Sequence, residues 1–481
     1  MKKLAYTKRT EQILELLFYL TVFAAIAAFA ILQPFNDPPD EINRFKVAQY
    51  ICVHGVLPHG ADPEIGIGGY GASYAFQPIL PYIIQGYVMR LFFQFTQNYY
   101  ILTYVARFVN VIFGVLMAIV VRKTSKELFK QPQIQWLFTI LVVLLPQNLF
   151  LHSYVNSDSL AALSSAIILY ACILGIKDHW RIPTCITLSI GIILCALSYY
   201  NAYGVILCSI LIFLYSYSKH ATGKRTYDFR AFFRTASFIS ALVLLGIGWW
   251  FIRNAILYEG DFLGMTARSQ CAIATALPEF NPLNKPTIRN SGYSILFLLF
   301  QTQFASKVLD SSIAMFGSMI LPTYDYVYTG YKIIFVSSLL CLFLPKKNRI
   351  LSNSADYLQE VSKPLKTGWN IILFATMLIP IGLCIWYCYA WDYQPQGRYI
   401  LPLLIPFMYF ITVGFAKLQH FFRERFSSEA FFYKLGCSIP YVIILFVLIA
   451  LASTMLGVVI PHYQDMPNWL DQTIQSLSLH Q

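Results

Sequence analysis

Apolar residues arrive in long, nearly charge-free runs along the whole chain, divided by short polar stretches. Runs at 13–33, 100–121, 134–151, 159–176, 182–199, 203–217, 236–253, 331–345, 370–390, 399–416 and 437–460 each approach or reach the roughly 20 residues that cross a bilayer as a helix. In lipid a helix satisfies all of its own backbone hydrogen bonds, so the pattern predicts an all-α polytopic membrane protein with about 11 spans. Two shorter apolar pieces, 82–95 and 293–304, are bounded by polar chain on both sides. They are expected to lie along the membrane surface rather than cross it. The polar residues concentrate in two long segments, 34–98 and 254–330, and in a tight loop at 391–398.

Composition agrees. The 481 residues are 57% hydrophobic and 12% charged, against roughly 25% charged for soluble domains. Too much apolar surface is present for a soluble fold of this length to bury. The chain reads as a single transmembrane domain over 1–481, with no separate soluble domain. Its ten cysteines fall mostly inside apolar runs, without CxxC spacing. The first run continues to Gln33 without a small-residue cleavage site, so it is expected to stay as a helix rather than leave as a signal peptide. The net charge of +12 is no nucleic-acid signal, because the basic residues cluster in alternate loops: Lys2–Arg9, Arg122–Lys130, Lys177–Arg181, Lys219–Arg234, Lys346–Lys366 and Lys417–Lys434. By the positive-inside rule these loops are cytoplasmic, and 34–98, 254–330 and 391–398 face outward. Spans nearly free of charge, with no visible internal repeat, argue against an ion-coupled carrier.

The candidate chemistry sits at the outer rim. Directly behind the first run, Asp37, Asp40, Glu41 and Arg44 crowd together, and Pro38 and Pro39 stiffen the approach. A surface helix starting near Asp40 would put Asp40 and Arg44 on one face, four residues apart. A carboxylate beside a lipid-facing cleft is suited to act as a base. Arg253 and Asn254 close the seventh run on the outer side, where the positive-inside rule disfavours an arginine, so an anion is the expected partner. In Trp391-Asp-Tyr-Gln-Pro-Gln-Gly-Arg-Tyr399, Arg398 opens a helix, a placement suited to phosphate, and Lys307 is a further phosphate candidate. Asn156 and Asp158 are expected to cap the fourth span, whether or not they also touch substrate. His54, His59, Asp62 and Glu64 have ligand-type side chains at a spacing that matches no zinc or calcium pattern, so a divalent metal is a weak candidate there.

These segments together resemble the GT-C-fold glycosyltransferases, nearest the undecaprenyl-phosphate-sugar-dependent bacterial enzymes such as the lipid A aminoarabinose transferase. Pro39-Asp-Glu-Ile-Asn-Arg-Phe45 is similar to the family's Pro-Asp-Glu-x-x-Arg element after the first helix. Tyr74-Ala-Phe-Gln-Pro-Ile-Leu-Pro-Tyr82 resembles the proline-rich start of its second surface helix. Ala106-Arg-Phe-Val-Asn110, Asn156-Ser-Asp-Ser159 and Trp250-Phe-Ile-Arg-Asn254 resemble outer helix ends, and Gln396-Gly-Arg-Tyr-Ile-Leu-Pro402 the start of a late helix. Where relatives carry an acid before the proline of the second element, this chain has Phe76 and Gln77, and Glu41 or Glu64 are the replacements.

The resemblance implies an inverting transfer of sugar from a polyprenyl-phosphate carrier to a hydroxyl on an envelope glycan, glycolipid or protein, at the outer face of the bacterial cytoplasmic membrane. It implies Asp40 and Glu41 as the catalytic acids, Arg398, Arg253, Arg107 and Lys307 on the donor phosphate, and Arg44, Tyr74, Gln77, Asn156, Asp158, Asn254, Gln396 and Tyr399 around the substrates. No cofactor is certain. The rival readings are a lipid-linked glycan translocase, which would need a polar path through the membrane, and a polysaccharide polymerase.

Overall fold

A computed structural model of the chain describes residues 8–218, 228–344, 358, 361–426 and 429–464. The basic clusters at Lys2–Lys3, Lys219–Arg225 and Lys346–Arg349 and the tail after 464 lie outside these residues.

The first part of the chain comprises α1 (Lys8–Leu32), α2 (Glu41–His54), α3 (Leu80–Phe93), α4 (Tyr99–Leu128), α5 (Pro132–Val143), α6 (Pro146–Leu151), α7 (Asp158–Asp178), α8 (Ile182–Ala196) and α9 (Tyr203–Ser216). After it come α10 (Phe229–Leu257), α11 (Met265–Thr275), α12 (Ile295–Gln301), α13 (Phe304–Ile313), α14 (Asp325–Cys341), α15 (Lys363–Ala390), α16 (Leu404–Arg425), α17 (Ala430–Thr454) and α18 (Ile460–Gln464). Among the described residues strand is confined to β1 (Met315–Phe316) paired antiparallel with β2 (Leu321–Pro322), Met315 opposite Pro322.

Seven helices among the described residues are long and apolar enough to cross a membrane: Lys8–Leu32, Tyr99–Leu128, Asp158–Asp178, Phe229–Leu257, Lys363–Ala390, Gly397–Arg425 and Phe431–Gln464. The protein is a multi-pass, all-α membrane protein. The other four expected spans are present as shorter helices. The run at 134–151, read as one helix, is broken between α5 and α6. Pro146 lacks the N–H a helix needs and pushes Leu145 into extended backbone, at φ −61° and ψ 122°. The late span expected from 399 opens instead with a 3₁₀ turn, Gly397–Leu403, containing Pro402. The apolar piece at 293–304 divides into α12 and α13 at Gln303, which is left-handed at φ 56°.

The main core gathers around α4, α5, α7 and α16. A second cluster binds the surface helices to the bundle: Phe45, Val47, Ile51 and Cys52 of α2 and Tyr82 of α3 meet Leu102 and Ala106 of α4 and Trp250 of α10, all at most 2% exposed. Burying a large apolar side chain is worth about 1.5–3 kcal/mol. Several such side chains therefore hold α2, and the residue just before it, in a fixed place. At the other end of α1, Glu11 and Glu15 pair with the buried Arg122 of α4 at 3.1 and 2.8 Å, which locks the two helices in register.

Candidate active site

The turn between α1 and α2 is built around Glu41. Its carboxylate is fully buried and accepts from Arg107 Nε and Nη2 at 2.8 and 2.6 Å, and from the backbone N–H groups of Asn36 and Val155 at 3.0 and 3.1 Å. Arg107 in turn donates to the carbonyls of Ala30, Gln33 and Pro34 at 2.7, 2.7 and 3.0 Å, covering the C-terminal end of α1, where cations are favoured. Every polar atom of the Glu41 carboxylate is thus committed within the protein.

Asp40 is placed differently. It stands just before α2 in the left-handed region, φ 62° and ψ 13°, which an Asp tolerates at a cost of about 1 kcal/mol. Its carboxylate does not cap the helix; the Asn36 side chain accepts from Ile42 N–H at 3.3 Å instead. The Asp40 side chain remains 38% exposed and meets Arg398 Nη2 at 2.9 Å. The expected pair with Arg44 is looser, at 3.8 Å, because Arg44 Nη1 is held by Asp158 at 3.1 Å while its guanidinium lies 5.2 Å from the centre of the Tyr74 ring. Burial would push the Asp40 carboxyl up, but Arg398 and Arg44, with the Tyr74 hydroxyl, outweigh it and hold it below its ordinary value.

Arg398 is presented by the 3₁₀ turn. Gly397 packs so closely on α13 that an added Cβ would lie 2.1 Å from Ser312 N, and its own N–H donates to Ser311 Oγ at 2.8 Å. Arg398 Nε donates to Gln396 Oε1 at 2.6 Å, and Nη2 reaches the Tyr399 hydroxyl at 3.4 Å. The side chain is 2% exposed, and Nη1 is buried with no acceptor. Arg44 Nε is likewise buried and unpartnered. Two guanidinium nitrogens without acceptors beside a partly exposed carboxylate are suited to an anion.

The structure therefore brings Asp40, Arg44, Tyr74, Asp158, Gln396, Arg398 and Tyr399 together. Gln77 ends the 3₁₀ turn that carries Tyr74, its N–H on the Tyr74 carbonyl at 3.2 Å. Other expected site residues are committed elsewhere. Asn156 caps α7 through Ser159 N–H at 2.9 Å, as expected, and holds the carbonyls of Leu151 and Tyr154. Asp158 does not cap; it anchors Arg44. Arg253 donates to the Pro58 carbonyl at 2.7 Å, and the buried Asn254 reaches the Phe262 carbonyl at 3.4 Å. Lys307 stays exposed and donates to the Tyr393 hydroxyl at 3.3 Å.

The weak metal candidates do not converge. His54 pairs with Glu64 at 3.1 Å, His59 packs against Tyr258, and Asp62 caps Glu64 N–H at 3.0 Å. No group of three or more His, Cys, Asp or Glu that could hold a metal ion is found among the described residues. Sequence reasoning missed Asn36 and Ser311, which hold the turns under Asp40 and Arg398. It also missed Tyr463 of α18, whose hydroxyl donates to Asp37 Oδ2 at 2.7 Å from the far end of the chain.

No protein-family profile and no curated protein sequence matches the chain. Solved structures do. One is the archaeal oligosaccharyltransferase AglB from Archaeoglobus fulgidus in complex with an inhibitory peptide and a dolichol-phosphate, with a TM-score of 0.54 at 14% identity. The match covers 92% of this chain and 56% of that one, so the chain spans little more than half its length. The Archaeoglobus fulgidus oligosaccharyltransferase in its apo form scores 0.46 at 13% identity, covering 96% of this chain and 56% of that one. Its complex with zinc and sulfate scores 0.48 at 14% identity, covering 90% and 52%. The first of these likenesses runs across nearly the whole chain and shows a shared fold, GT-C.

Proposed function

We propose that the protein is an inverting glycosyltransferase that moves a sugar from a polyprenyl-phosphate carrier to an acceptor hydroxyl on an envelope glycan, glycolipid or protein, at the outer face of the bacterial cytoplasmic membrane. The observation that carries this reading is the Asp40–Arg398 pair at 2.9 Å, with Arg398 Nη1 buried and lacking an acceptor. A carboxylate and a buried guanidinium thus stand side by side just before the surface helix α2, which supports a base next to a phosphate-binding cation. The shared fold with an oligosaccharyltransferase captured with dolichol-phosphate supports a lipid-phosphate carrier.

In the reaction, the acceptor oxygen attacks the anomeric carbon from the face opposite the phosphate. The new C–O bond forms as the bond to the phosphate oxygen breaks, and its electron pair leaves on the prenyl phosphate. Asp40 takes the acceptor's proton. Arg398 stabilises the phosphate, which gains charge as it departs. A phosphate leaving group needs no acid to protonate it, so one carboxylate suffices, unlike the paired carboxylates of glycoside hydrolases. Arg44, tied to Asp158, orients Asp40. Glu41 and Arg107 hold the turn that presents it.

The test is purified protein in detergent, given a prenyl-phosphate sugar and a panel of envelope acceptors, with release of prenyl phosphate as the readout. Release that depends on acceptor and is abolished in Asp40→Asn supports the reading. A fully active Asp40→Asn variant removes Asp40 from the mechanism.

A further inference from the structure

Four charged groups alternate through the site: Asp158, Arg44, Asp40 and Arg398, linked at 3.1, 3.8 and 2.9 Å. Two acids balance two cations, so a phosphate adds negative charge that nothing in the cluster yet offsets. The two guanidiniums are not equivalent. Arg44 is 3% exposed and fixed by the buried Asp158. Arg398 has Asp40 as its one anionic partner among the described residues; its remaining contacts, Gln396 and Tyr399, are neutral. Its Nη2 makes the contact to Asp40, while Nη1 is buried and unpartnered.

Asp40 is correspondingly free to lose this partner. Its left-handed backbone is fixed by the Glu41–Arg107–Asn36 turn and helix capping falls to Asn36, so besides Arg398 its carboxylate meets the looser Arg44, at 3.8 Å, and the Tyr74 hydroxyl. The charged and titratable groups around it come from every neighbouring element: Asp37 and Glu41 along its own segment, Arg44 on α2, Tyr74 on the 74–76 turn, Tyr154 in the loop between α6 and α7, Asp158 at the start of α7, and Arg398 and Tyr399 on the 397–403 turn.

We propose that Asp40 and the phosphate of the lipid-linked donor compete for the single guanidinium of Arg398, so that donor binding is what frees Asp40 to act as a base. This rests on the donor reading above. With Arg398 on its carboxylate, Asp40 is a poor proton acceptor. A phosphate that draws Arg398 away also sets a like charge beside Asp40, and both changes raise its proton affinity. Donor would then bind before acceptor, and a bound acceptor would not be activated without a sugar to receive.

Competition has a sign that binding alone can read: neutralising residue 40 must tighten phosphate binding. Asn tolerates left-handed backbone, so Asp40→Asn keeps the turn, and Asp40→Gly is the second variant should the first fail to fold. The experiment titrates farnesyl phosphate and, separately, inorganic phosphate into the full chain in detergent near about pH 8, where both phosphate and carboxylate are charged. It follows binding by calorimetry for the wild type, Asp40→Asn and Arg398→Gln. The expected result is farnesyl phosphate bound about fivefold or more tighter by Asp40→Asn and at least about tenfold weaker by Arg398→Gln. Inorganic phosphate should bind more weakly with the same sign. Unchanged or weaker binding by Asp40→Asn, with Arg398→Gln still impaired, overturns the competition and leaves the donor reading standing. Equal affinity for inorganic and farnesyl phosphate reassigns the site to free phosphate and overturns it too. No difference between the wild type and Arg398→Gln sinks the donor reading itself.

Discussion

Two adjacent carboxylates in this chain should fail in opposite ways. Glu41→Gln keeps the shape of the side chain but removes its charge and replaces one acceptor oxygen with an NH₂. The remaining oxygen can still serve two donors. The new NH₂ then faces two others, drawn from Arg107 and the backbone N–H of Asn36 or Val155, which approach at 2.6–3.1 Å. Each orphaned buried donor costs about 1–3 kcal/mol, and an uncompensated buried arginine about 3–5 kcal/mol in all. Arg107 is 1% exposed and Glu41 0%, so solvent cannot relieve that loss. Asp40→Asn keeps an acceptor oxygen for Arg398, and although Arg398 is itself 2% exposed, the charge removed was on a side chain already 38% exposed, so solvent reaches the pair and the cost should be a fraction of that at Glu41. Thermal unfolding in detergent, followed with a thiol-reactive dye, reads the difference, since Cys52 is buried on α2 beside the turn. Glu41→Gln should melt on the order of 5 °C or more below the wild type, whereas Asp40→Asn should fall within about 2 °C of it and lose transfer. A Glu41→Gln protein that melts like the wild type yet transfers no sugar would refute this assignment and make Glu41 a chemical group.

Other outcomes follow from the same geometry. Burial holds the Asp37 carboxyl above its ordinary value despite the Tyr463 bond, so its ionisation opposes folding: the penalty is absent below the unfolded pKa of about 3.9 and grows as pH rises through the folded value. Asp37→Asn should therefore raise the melting temperature at neutral pH, the gain vanishing below about pH 4 in a pH series of melts. Asp40 has the opposite sign: its lowered pKa gives stability that is present above the unfolded value and lost as pH falls through the folded one. Gly397→Ala should cut donor binding about tenfold or more, because a Cβ 2.1 Å from the Ser312 backbone must move the Arg398 turn; binding of farnesyl phosphate within twofold of the wild type would contradict this. Arg398→Lys should leave Gln396 without its partner and lose the planar fork, weakening phosphate capture by about tenfold in the same titration.

The helices were legible because lipid imposes one backbone solution on long apolar runs, and length alone then marks them. Prolines set two of the errors: Pro146 split one expected span and Pro402 turned the start of another into 3₁₀, whereas the break at Gln303 has no proline behind it. Asp40, Arg44 and Arg398 could be singled out because charge at the rim of a charge-poor chain stands out. Their partners could not. Arg107 and Glu41 carry the same chemical signature as Arg398 and Asp40, yet burial commits them to the α1 turn, and no local pattern separates the two pairs. The pairing of Arg44 with Asp158 and of Arg398 with Asp40 spans 114 and 358 residues, beyond the reach of helical spacing rules. Spacing had offered Arg44 to Asp40 instead, and the longer-range partners won because each stands closer.

The left-handed backbone at residue 40 separates two demands that usually travel together. A library randomised at that codon and sorted only for membrane insertion and heat resistance should settle on Asn, Gly and Asp, the side chains that accept such a backbone. Sorted for turnover, the same pool should collapse to Asp alone. At codon 41 the two selections should choose the same residue.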